Sequence, residues 1–190
     1  MRKKYFNIEK YAQQLTEQQI ALYENFKRPV GIKLTGSGLS SVFKIPGTNQ
    51  FLRGSQLMNQ VVSQISGILN ARGVHTIDTS PISRANAIGL AVSSEFGTIH
   101  VDIQKIFNSV EKQSLPAISQ LDGANVDADV RNNIVNKISA ILVNQIANTS
   151  AHESAHNIDY FNSFPKGNFQ SSESGAENFG NQIANQYFKI

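Results

Sequence analysis

Two histidines and a glutamate stand in one short run, His152-Glu153-Ser154-Ala155-His156. On an α-helix, residues four apart stack on one face, so His152 and His156 can offer two imidazole nitrogens to a single metal ion. Glu153 lies about a hundred degrees around the helix, within reach of a water at the metal without filling a ligand position. Two neutral nitrogen ligands, a carboxylate base and an open position for water are the parts of a zinc hydrolase site. A third ligand is still needed. The chain offers carboxylates downstream, in Glu173-Ser174-Gly175-Ala176-Glu177-Asn178-Phe179-Gly180. Glu173 and Glu177 are themselves one turn apart, so spacing alone lets either reach the ion.

The elements that must position these groups are two helices and the reversal between them. Ile134, Ile138, Ile141, Leu142 and Ile146 recur at three- and four-residue intervals, with no Pro or Gly from Asp127 to Phe161. That predicts one long helix carrying the motif, with Asp127 or Asp129 as its N-cap. The stretch Asn162-Ser163-Phe164-Pro165-Lys166-Gly167-Asn168 is rich in turn formers. It would let the chain double back and lay a second helix, bearing Glu173 and Glu177, against the first.

His156-Asn157-Ile158-Asp159-Tyr160 followed by Glu173-x-x-Ala176-Glu177-x-Phe179 resembles the gluzincin metallopeptidases, in which HExxH precedes a helix that carries a glutamate ligand. Within that group it is most similar to the anthrax lethal factor type of catalytic domain, over about the last forty residues. The resemblance implies Glu173 as third zinc ligand and Glu177 as a carboxylate orienting a ligand histidine. It implies an α+β, zincin-like metallopeptidase fold and zinc-dependent hydrolysis of peptide bonds. In that chemistry Glu153 takes a proton from water and passes it to the leaving nitrogen. Asp159 is a second candidate for holding a ligand imidazole in its tautomer. The lethal factor type places a tyrosine between the motif helix and the ligand glutamate, and this chain has none there. The donor for the developing oxyanion is therefore sought among Tyr160, His100, Tyr187 and Lys166.

The rest of the chain supplies a frame. Residues 5–27 read as an amphipathic helix, packed on its own domain, covering a cleft as a pro-segment or docking a partner. Val30–Leu34 and Ser41–Ile45 read as the two strands of a hairpin around Gly36-Ser37-Gly38. Gly54–Ala71 reads as a helix whose stripe is Leu57, Met58, Val61, Val62, Ile65, Ile68 and Leu69, with Gly73 capping it. His75–Thr79 and the apolar Ala87–Val92 read as strands, the second of them central. Thr98–Ile103 alternates cleanly, with Ile99, Val101 and Ile103 inward and His100 and Asp102 outward. The zincin resemblance implies that this strand lies at the sheet edge along the cleft, where it would pair with an extended peptide and present His100 to substrate or transition state. Lys105–Gln113 reads as a short helix and Ser114–Asp129 as a loop broken by Pro116.

Composition narrows the function classes. The 190 residues carry a formal net charge of +3, only 16% charged residues and no cysteine. Without cysteine neither disulfides nor a thiolate-held zinc is available, so any metal must use His and carboxylate. The basic excess is partly N-terminal, at Arg2, Lys3, Lys4 and Lys10, and no basic stripe interleaved with aromatics points to nucleic acid. No run resembles a secretory signal or approaches the ~20 apolar residues of a membrane span. These features fit the cytoplasm or a virus-like particle better than signal-directed secretion. The expectation is one zincin-like domain over residues 1–190 that acts on a peptide or protein substrate. The alternative is a zincin-fold structural or docking component of a larger assembly, such as a phage particle, with the N-terminal helix as its contact.

Overall fold

The computed structural model describes residues 29–33, 41–44, 51–92, 95–119, 126–163 and 172–190. The expected N-terminal helix, the glycine turn at 36–38, Lys166 and the reversal at 164–168 lie outside these residues.

The long apolar periodicity before the histidine motif produces a helix of 36 residues, α3 (Ala128–Ser163). Its first turns are largely exposed, while from Ile138 onward it becomes buried, and between Ala147 and Asn157 small residues and the motif are enclosed almost all round. The described neighbours that enclose it are α1 (Gly54–Asn70), α2 (Ile103–Ile118), α4 (Glu173–Tyr187) and two strands, β5 (Gly89–Ala91) and β6 (Thr98–Val101). Ala147, Ser150, Ala151, Ser154 and Ala155 allow the close approach. The two buried hydroxyls cost little because each donates to its own helix, Ser150 Oγ to Ile146 O and Ser154 Oγ to Ala151 O.

β1 (Gly31–Lys33), β4 (Thr76–Asp78), β6 and β5 form a mixed sheet in the order β1-β4-β6-β5. β1, β4 and β6 are parallel and β5 is antiparallel to β6. β2 (Val42–Lys44) and β3 (Phe51–Arg53) make a separate antiparallel pair leading into α1. The stripe of α1, the inward residues Ile77, Ile99 and Val101, and Ile103, Ile106, Phe107 and Val110 of α2 belong to one apolar cluster with Ile138, Leu142 and Ile146 of α3. Phe43 of β2 joins it edge-on to Phe107, ring centres 5.8 Å apart. The architecture is α+β, with four helices and a small mixed sheet among the described residues.

Three expectations are corrected. The segments at 31–33 and 42–44 are strands but not partners of one another, since β1 pairs in parallel with β4 and β2 pairs with β3. Alternation shows that a segment is extended and leaves its partner open. The strand at 98–101 is interior, between β4 and β5, and β5, expected to be central, lies at an edge of the described sheet, as β1 does at the other. Its apolar run comes from packing on α3 at one side, not from two strand neighbours. Finally, α2 runs to Ile118 with Pro116 inside it. A proline in the last turn forfeits a single helical hydrogen bond, so it does not stop the helix at Gln113.

Candidate metal centre

α3 carries His152, Glu153 and His156 on adjoining turns, with His156 and Glu153 buried and His152 partly so. α4 is laid beside it by small residues and polar clasps. A β-carbon at Gly180 would stand 2.8 Å from the Asn148 carbonyl oxygen and 3.3 Å from His152 Cβ, so only glycine permits this crossing. Asn148 Nδ2 donates to Asn181 Oδ1 at 2.7 Å, and Asn144 Nδ2 to the Phe188 carbonyl at 2.8 Å. The Arg72 guanidinium lies 3.7 Å from the Phe179 ring centre, tying α4 to the end of α1. Ser172 caps α4, accepting from the Gly175 amide at 3.1 Å, and so fixes the turn that begins with Glu173.

The crossing brings three donor atoms together. The Nε2 atoms of His152 and His156 are 3.0 Å apart, and Glu173 Oε2 is 3.4 Å from the first and 3.5 Å from the second. These three residues can hold one metal ion. Glu173, its side chain 82% exposed, closes the site from the solvent side. Burial and the neighbouring His156 depress the pKa of His152, while the charges of Glu173 and Glu177 oppose that shift. The neutral form, the one that ligates, is favoured.

Glu153 stands beside this cluster, Oε1 4.0 Å from His152 Nε2. Burial first, then the charge of Glu173, pushes its carboxyl up to about 7, against the opposing hydrogen bond from the Ala91 amide. That bond ties the carboxylate to the edge strand. β5 comes so close that a β-carbon at Gly89 would lie 2.5 Å from Glu153 Oε1 and 2.6 Å from Thr149 Cγ2. Above the cluster opens a cleft of about 570 Å³, walled by Arg84, Asn86 and residues 87–91 on one side and by Glu173 and Glu177 on the other.

The chain matches no known family model, no curated protein and no solved structure.

The remaining candidates divide. Tyr160 lines the cleft, its phenol pKa raised by burial and the charge of Glu153 and lowered by Arg84. Glu177 lines it one turn beyond Glu173. His100, on the interior strand, does not line it, and its Nε2 is 3.1 Å from Glu95 Oε2. Asp159 is also outside the lining, where its charge acts on Arg72. Tyr187 lines a different groove, with Gln60 and Gln64. Sequence reasoning missed Arg84, Asn86, Gly89 and the Ala91 amide. The glycine inside an apolar strand was the one available signal, since it marks a close backbone approach.

Proposed function

We propose that the chain is a zinc-dependent endopeptidase of zincin-like fold. The observation that carries this reading is the buried Glu153 carboxyl beside a His–His–carboxylate triangle at the floor of an open cleft. The donor set suits zinc, and a tetrahedral zinc with bonds of about 2.0–2.1 Å spaces its ligands by about 3.3 Å, against 3.0–3.5 Å here. His152, His156 and Glu173 would hold it, and Glu177 would orient His152. When bound, zinc supplies Lewis acidity that draws the pKa of a water towards about 7 and polarises a carbonyl.

The chain's own groups do the rest. Glu153, with a pKa of about 7 before metal binds, is placed to accept the proton of the attacking water and return it to the leaving nitrogen. Tyr160, which lines the cleft, is the proposed oxyanion donor that the described residues bring to it. The Ile88 carbonyl, just before β5, accepts from the Asp102 amide, so Leu90 bonds towards β6 and Gly89 and Ala91 face away from it. With the Ala91 amide on Glu153, the Gly89 amide and carbonyl and the Ala91 carbonyl are the backbone groups turned to the cleft. An extended peptide can pair there.

Two measurements test the proposal. Protein purified without added metal should contain about one zinc per chain, and the His152→Ala protein none. Glu153→Ala should keep zinc and lose about 10²–10⁴-fold or more in cleavage of a mixed peptide pool. A chain that holds zinc and cleaves no peptide would instead be the docking or structural module.

A further inference from the structure

Among the described residues lining the cleft, Arg84 is the single Lys or Arg, in company with Glu153, Glu173 and Glu177. Exposed arginines are common and most are idle. This one is held differently. The segment around it is gripped from both ends of the peptide dipole. The Lys105 ammonium donates to three of its carbonyls, Ile82 O at 2.7 Å, Arg84 O at 2.6 Å and Ala87 O at 3.1 Å. The buried Asp102 accepts the Ile82 amide at 3.0 Å and the Lys105 amide at 3.1 Å. A second bond, Ala87 amide to Arg84 carbonyl at 3.3 Å, closes the turn on itself. The Arg84 carbonyl itself accepts twice, from Lys105 Nζ and from the Ala87 amide, so the backbone at Arg84 is tied at the rim while its side chain stays exposed. Its charge acts on the Tyr160 phenol across the cleft floor, and it makes no ion pair among the described residues. A guanidinium on a clamped loop, exposed and with no ion pair among the described residues, is built to receive a planar anion in two parallel hydrogen bonds.

We propose that Arg84 selects substrates carrying a carboxylate beside the scissile bond, and that the Asp102–Lys105 clamp holds it in place to do so. The carboxylate is an Asp or Glu side chain or the end of a peptide chain. This rests on the peptidase reading for its biological sense, and its test does not need turnover.

The zinc-loaded Glu153→Gln protein is titrated with blocked peptide pools, N-acetylated and C-amidated, that differ only in Glu or Gln at one central position. A third pool with Gln and a free C-terminus separates chain end from side chain. One of the two carboxylate pools should bind about tenfold more tightly than the neutral pool, and adding Arg84→Gln should remove that ratio. Adding Arg84→Glu should shift preference to a Lys-containing pool. Equal binding of all three pools would overturn the inference, as would a preference that survives Arg84→Gln. With the native protein, Arg84→Gln should change the Glu-to-Gln ratio of kcat/KM. A uniform fall in kcat for every peptide would place Arg84 on the transition state and overturn the selection role. If the carboxylate preference appears in binding and native protein cleaves nothing, the peptidase reading fails and this one stands.

Discussion

At the scale of single residues, the histidine pair and Glu153 are legible from spacing because a helix turns a four-residue interval into a shared face. Glu173 is not separable from Glu177 in that way. It is the crossing of α4 over α3 that puts Glu173 Oε2 within 3.4–3.5 Å of both imidazoles. Glu153 yields a prediction for the metal-free protein. Its carboxyl titrates near 7 in the folded chain against an ordinary 4.5, so between those values the folded state keeps a proton that the unfolded state has released. The group's contribution is fully present below pH 4.5 and is lost as pH rises through 7, by about 3 kcal/mol at most. His152, its pKa depressed by burial, acts in the opposite sense and costs stability as pH falls through its ordinary 6.5. Both proteins retain His152, so urea unfolding of chelated native and Glu153→Gln protein between pH 5 and 8 isolates the carboxyl. The native protein should lose stability with rising pH relative to the variant; parallel curves would mean that Glu153 is solvated.

At the scale of elements, α1 and α3 were readable from their periodicity, α2 only in part, and the strands were not readable in their pairing. Nothing local in Gly89-Leu90-Ala91 says that it is an edge strand packed on a helix and not one held between two strands. That is fixed by the antiparallel pairing with β6 and by the missing side chain at Gly89. Gly89→Ala should therefore act on the site and on stability together. Its β-carbon meets the Glu153 carboxylate and Thr149 too closely to fit without a shift, which should cost about 1–3 kcal/mol in denaturant unfolding. Zinc content should survive, because no ligand is touched, while the Glu153 carboxylate is displaced and cleavage falls. The rim loop makes a matching case. Lys105→Met keeps the stem and removes three charge-assisted bonds to carbonyls, so the Arg84-dependent preference should weaken with zinc content intact. Retention of the full preference would show that the loop holds its shape without the clamp.

At the scale of the molecule, the candidate metal site spans a boundary between parts of unequal support. His152 and His156 rise from α3, which the sheet, α1 and α2 pack into one apolar cluster. Glu173 sits on α4, whose buried residues are Ala176, Gly180, Ile183 and Ala184, followed by Phe188. The larger ones lie in its second half. Among the described residues, the first turn has its Ser172 cap, the small Ala176 and the proposed ligand Glu173. An ion bound there would therefore clasp the weaker end of the helix. With free zinc at a hundred times its dissociation constant the folded state gains about 2.7 kcal/mol, or roughly 5–10 °C in midpoint for a chain of this size. The gain should vanish in His152→Ala. Hydrogen exchange locates it: chelation should speed exchange of amides 176–180 more than of 183–187, and leave α1 unchanged. Uniform acceleration across α4 and the core would mean that the ion supports the whole fold and not one helix end. No change with chelation would mean that the triangle closes without a metal.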